Sequence, residues 1–90
     1  MSIEQLKAWL LNKMKRHRFI GGRHTDIKNV RKDFDPKYYS ELEDVLKKLI
    51  KEDSILVKLT EYGKHVSLNP RLINEIDDFI QKNFTQVIFK

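Results

Sequence analysis

The sequence predicts a mainly helical domain with one small antiparallel β-hairpin. Apolar residues recur at helical spacing in four segments, around 3–17, 25–34, 36–52 and 70–84. Two of these segments open on an Asx-Pro pair, Asp35–Pro36 and Asn69–Pro70, in which the first residue can cap a helix and the second suits its first turn. Between them the period shortens: "ILVKL" (Ile55–Leu59) and "HVSL" (His65–Leu68) are β-prone, with the Gly-containing turn "TEYGK" between them.

Each element has its own local reason. Ser2 is a good N-cap, and Gln5 three residues later completes a capping box. Ile3, Leu6, Leu10 and Met14 then mark a helix from Ile3 to about His17, and Trp9 and Leu11 flank that stripe on opposite sides, so more than one of its faces is covered. "RFI" (Arg18–Ile20) is short and apolar and reads as a brief strand ended by Gly21–Gly22. Thr25 is placed to cap a second helix, with Asp26 in its first turn and Ile27, Val30 and Phe34 on its apolar side. The third helix runs from Pro36 to about Glu52, with Tyr38, Leu42, Val45, Leu46 and Leu49 inward. Two helices joined so closely must cross at a large angle. After the hairpin, Leu72, Ile73, Ile76, Phe79, Ile80 and Phe84 form the wide apolar face of a fourth helix. The tail "TQVIFK" is expected to dock as an extended segment or to form a dimer contact. The expected core is Leu6, Leu10, Met14, Ile27, Val30, Leu42, Val45, Leu46, Leu49, Val57, Val66, Ile76 and Ile80.

Ninety residues suit a single domain spanning 1–90, able to bury about 60–65% of its unfolded surface. With no Cys there is no disulfide, thiolate nucleophile or thiolate zinc site. No apolar run approaches the ~20 residues of a membrane-spanning helix, and no signal-peptide pattern opens the chain. The expected setting is cytoplasmic. The charge is unevenly placed. Residues 1–33 carry nine Lys/Arg against three acids, whereas residues 34–90 carry nine against ten. Most of the surplus lies in "RHRFIGGRHTDIKNVRK" (Arg16–Lys32), with six Lys/Arg and the single acid Asp26.

Helix, short strand, helix, turn, helix and hairpin is the order of a winged helix-turn-helix domain, here with an additional C-terminal helix. The chain resembles that superfamily from Ile3 to Leu68, most clearly in "YYSELEDVLKKLIKEDSILVKL"; residues 69–90 form the added helix and tail. "KLTEYGKHVSLNP" is similar to the wing and following turn of small archaeal winged-helix proteins. The resemblance implies that the third helix enters the DNA major groove, the second braces it and the wing lies on phosphates or in the minor groove. Carried onto this chain, the groove-facing positions are Lys37, Ser40, Asp44, Lys47 and Lys51, flanked by Tyr39, Glu43 and Lys48. The wing tip is Thr60–Lys64, with Tyr62 and Lys64 as contacts. Glu41, Glu43 and Asp44 depart from that pattern by setting three acids on or beside a face meant for a polyanion.

The basic stretch supplies the remaining candidates. Lys15, Arg16 and Arg18 end the first helix, where cations also simply suit the helix dipole. Arg23 and His24 precede the second helix, whose open N–H groups can receive a phosphate oxygen. Lys28, Arg31 and Lys32 lie along its outer side, a row able to neutralise backbone phosphates or to be only a solvated face. Gly21–Gly22 has no phosphate-loop spacing. His17, His24 and His65 lack the spacing and acid partner of a metal site, and His65 reads as a surface or hydrogen-bonding residue. No motif supports catalysis, and no cofactor is implied. The expected function is a non-enzymatic nucleic-acid-binding protein, a DNA-binding regulator of transcription or accessory factor. DNA is favoured over RNA. The alternative is a protein-interaction module of a larger nucleic-acid-processing assembly. Trp9 with the C-terminal helix and tail is the expected surface for any homodimer.

Overall fold

Ser2 opens the first helix, α1 (Ile3–Arg16), through a reciprocal cap. Its Oγ accepts from the Gln5 N–H at 3.1 Å, and Gln5 Oε1 accepts from the Ser2 N–H at 3.0 Å. The structure is a computed structural model that describes the backbone of residues 2–88 and the side chains of residues 2–83. Leu6, Leu10 and Met14 are buried along α1, and Ala8 and Leu11 are buried beside them, so the helix is covered on more than one side. It ends in a Schellman turn. The Phe19 N–H donates to the Met14 carbonyl at 3.0 Å and the Arg18 N–H to that of Lys15 at 2.9 Å, with Arg18 in the left-handed region at φ 60°.

That turn occupies the amides of Arg18 and Phe19, and the segment expected as a strand makes only a single parallel bridge, Ile20 to Leu68. The strand in this part of the chain is β1 (Thr25–Asp26). Helix α2 (Ile27–Arg31) follows without a break. Its cap is Asp26, not Thr25: the Asp26 carboxylate accepts from the Lys28 N–H at 2.8 Å, while Thr25 is committed to strand pairing and its buried hydroxyl accepts from Asn29 Nδ2 at 3.1 Å. Asp35 caps a 3-10 turn over Pro36–Tyr38, and helix α3 (Tyr39–Lys51) continues from it. A second Schellman turn ends α3, with Asp53 at φ 65°.

Strands β2 (Ile55–Thr60) and β3 (Gly63–Leu68) form the predicted hairpin. Ile55 lies opposite Leu68, and Thr60 opposite Gly63. β1 pairs antiparallel on the other side of β3, with Thr25 opposite Val66, giving a three-stranded sheet in the order β1-β3-β2. Asn69 then locks the return. Its Oδ1 accepts from the Arg71 N–H at 3.0 Å and its Nδ2 donates to the Asp53 carbonyl at 2.8 Å. Pro70–Leu72 form a 3-10 turn, and helix α4 (Ile73–Ile88) packs on α1 through the buried Ile76 and Ile80. The architecture is thus mainly helical, with a small antiparallel sheet and an added C-terminal helix, an order compatible with winged helix-turn-helix domains.

Ten of the predicted core residues are buried, joined by Ala8, Leu11, Ile55 and Leu68. Val57 is not core: it is 40% exposed, because the hairpin runs past the helices and only its base lies over them. Ile27 and Leu46 are half-buried, since they line an open groove between α2 and α3 with Leu10, Val30 and Leu42. The chain from Thr85 to Ile88 is helical rather than extended. The dimer contact assigned to the tail falls on side chains outside the described residues. Among the described residues no helix is long and apolar enough to cross a membrane.

Candidate nucleic-acid interface

The basic stretch divides into cations tied to the fold and cations left in solvent. Lys15 is tied: its ammonium pairs with Asp77 of α4, which turns it away from the stretch to which the sequence reading assigns it. Arg31 is tied as well. Its guanidinium meets Glu43 Oε1 of α3 at 3.0 Å and lies 4.9 Å from the ring centre of Tyr39, so one side chain pins α2 to the start of α3. Tyr39, a candidate for base contact, is therefore a half-buried platform for Arg31. Lys13 joins this set. Its ammonium donates to the Asn29 carbonyl at 2.9 Å, reaches Asp33 at 3.3 Å and sits over Phe34.

Arg16, Arg18, Arg23, Lys28 and Lys32 remain exposed, and none has an ion partner among the described residues. Lys28 and Lys32 are four residues apart across α2 and its C-cap, and so lie on one side. Arg16 lines a surface groove with Lys13, Asp33, Phe34 and Trp9. Trp9 itself is half-buried and packs on Phe34, ring centres 6.2 Å apart. The left-handed turn at Arg18 marks where the chain leaves α1.

The start of α2 differs from its expected role. Asp26 fills the first-turn N–H that a phosphate oxygen was to occupy, and five residues give little helix dipole. His24 is drawn to β3, its Nδ1 2.8 Å from Nδ1 of His65, one ring donating and the other accepting. His65 is thus the hydrogen-bonding residue that the sequence suggests, and the pair fastens the entry to β1 onto the wing strand. Nothing in the sequence pairs two His residues so far apart; the β1–β3 register, which sets Asp26 opposite His65, brings the two rings within reach.

On α3, Ser40, Lys47, Lys48 and Lys51 are exposed as expected, and in the 3-10 turn before it Lys37 stands over the Tyr38 ring at 5.2 Å. Of the three troublesome acids, Glu43 is neutralised by Arg31, while Glu41 and Asp44 are exposed without a cation among the described residues. The wing ends in a two-residue turn, Glu61–Tyr62, held by Thr60: its Oγ1 accepts from the Tyr62 N–H at 3.1 Å and donates to the Gly63 carbonyl at 2.9 Å. Tyr62 is 85% exposed, and Lys64 is exposed beside it. Lys58, which the sequence reading passed over, is exposed opposite His65; period-2 alternation along "ILVKL" is the signal that points it outward. Comparison with protein-family models, with curated proteins and with solved structures finds no match for the chain.

Proposed function

We propose that the protein is a non-enzymatic winged-helix protein that binds nucleic acid, DNA in preference to RNA, mainly through its phosphates. The observation that carries this reading is the set of five exposed cations without ion partners between residues 16 and 32, in a stretch whose other cation is spent on neutralising an acid of α3. Each phosphate that such a side chain neutralises releases condensed counterions, which supplies affinity without sequence information. Lys47, Lys48 and Lys51 of α3 are exposed as well, but Glu41 and Asp44 on the same helix limit how closely it can follow a phosphate line. Backbone contact rather than base readout by α3 is therefore the main source of affinity.

A salt series with purified protein on duplex DNA, single-stranded DNA and structured RNA tests the reading. Changing Arg18, Arg23, Lys28 and Lys32 to Ala should flatten the log–log salt dependence on duplex DNA by about 3. Changing Lys37, Lys47 and Lys51 should flatten it less. Unchanged affinity and slope in the first variant, with circular dichroism showing it folded, would replace this reading by its rival. That rival is a protein-interaction module, favoured by the exposed apolar side chains Leu56, Val57 and Leu59 on the hairpin.

A further inference from the structure

Four of the five large apolar side chains exposed among the described residues lie on one hairpin: Leu56, Val57, Leu59 and Tyr62. Exposure rises toward the tip, from Ile55 at 1% to Val57 at 40%, Leu59 at 76% and Tyr62 at 85%. Burial against the helices cannot account for an aromatic ring at the far end of that gradient, and the turn does not need it. The turn is held by the Thr60 hydroxyl and by Gly63 at φ 122°, not by the Tyr62 side chain.

The charges around the ring indicate what it meets. Lys64 lies opposite Leu59 on one face of the hairpin, and Lys58 lies opposite His65 on the other, so a cation stands behind the tip on each face. Both are exposed and neither has an ion partner among the described residues. At the tip itself the charge is reversed, because Glu61 is exposed next to Tyr62. A phosphate is repelled from that point, while an uncharged base is not. A second copy of the hairpin is a poor occupant, because Lys58 sits in the middle of the free edge of β2, where like charges discourage edge-to-edge pairing.

We infer that Tyr62 is a stacking platform for an unpaired nucleobase, with Leu59 beside it and Lys58 and Lys64 holding the flanking phosphates. This rests on the nucleic-acid reading above and adds to it a preference for nucleic acid containing unpaired bases. Aromatic stacking on a base tolerates any sequence and is lost on truncation to Ala.

The test compares a 20-base-pair DNA duplex with the same duplex interrupted by a four-nucleotide gap that carries 2-aminopurine. The wild-type chain should bind the gapped probe more tightly and quench its fluorescence. Tyr62→Ala should lose roughly 5- to 150-fold in affinity for the gapped probe and distinctly less for the duplex, while Tyr62→Phe behaves as wild type. The exposure of Tyr62 makes both variants foldable, which circular dichroism verifies. Equal wild-type affinity for the two probes, or an equal loss on both in Tyr62→Ala, would overturn the inference and leave the phosphate reading standing. Binding of neither probe would overturn both. Sedimentation showing a dimer that Tyr62→Ala dissolves would assign the hairpin to a second copy instead.

Discussion

Arg18 and Asp53 hold the same position in two Schellman turns, each a non-glycine residue in left-handed backbone. A side chain there costs energy that glycine avoids, partly offset by the extra freedom glycine has when unfolded. Asp53→Gly should therefore stabilise the fold by about 0.5–1 kcal/mol in urea denaturation, with nucleic-acid affinity unchanged. Arg18→Gly should stabilise it similarly, yet flatten the salt dependence of binding by about 0.9, since it also removes a proposed phosphate contact. A change that raises stability and weakens binding together separates the two roles of Arg18, which a substitution to Ala does not. Arg31 offers the opposite test. Glu43→Gln removes an acid beside the outer face of α3 and releases the guanidinium, so it should tighten binding to duplex DNA and steepen its salt slope. Stability should move by less than about 1 kcal/mol, because both partners are more than a third exposed and solvent screens the pair.

Among the elements, the hairpin and α4 divide their apolar residues between core and surface in a way that alternation alone does not reveal. Ile55 and Val57 point to one side of β2, two residues apart, but only Ile55 lies under the helices. Ile55→Ala should cost about 2–4 kcal/mol, and Val57→Ala under about 1 kcal/mol. Equal costs in thermal or urea denaturation would mean that the hairpin bends onto the body in solution. α4 is a core element by the same criterion. Ile76 and Ile80 are buried against α1, Lys7 sits over the Phe79 ring, and Lys15 reaches Asp77, so much of the apolar face for which a second copy was one expected cover is taken within the chain. Ile76→Ala should cost about 2–4 kcal/mol.

Across the whole molecule, ion pairs sort the cations by task. Lys7, Lys13, Lys15 and Arg31 each bridge two segments: Lys7 joins α1 to Glu52 after α3, Lys13 joins α1 to the α2–α3 link, Lys15 joins α1 to α4, and Arg31 joins α2 to α3. In each pair at least one partner is well exposed, so solvent screens the attraction and each is worth about 0–1 kcal/mol. Folding stability should accordingly change by no more than about 2 kcal/mol between 50 mM and 500 mM salt, whereas affinity for duplex DNA falls by orders of magnitude over the same range. Glu75 and Asp78 keep the outer side of α4 acidic and exposed, a side that would repel a polyanion.

The sequence by itself determined what depends on neighbours along the chain. The Ser2–Gln5 capping box, the Asp35–Pro36 and Asn69–Pro70 helix starts, the apolar stripes of α1 and α3 and the β2–β3 hairpin are all legible because backbone amides near a helix start seek the closest acceptor and because helix and strand impose different periods. Where a residue had two local options, tertiary structure chose. Thr25 was as good a cap as Asp26 until β3 recruited it to a strand, and "RFI" was as good a strand as Thr25–Asp26 until the Schellman turn took its amides. The same limit applies to the candidate site. Which residues are basic is written in the chain, but which cations remain available was decided by Asp77, Glu43 and Asp33, all distant in sequence from at least one of their partners. Ion pairing and burial depend on distances through space, which local periodicity does not encode; periodicity alone therefore places Val57 in the core and Lys15 at the interface, and leaves His24 and His65 unconnected.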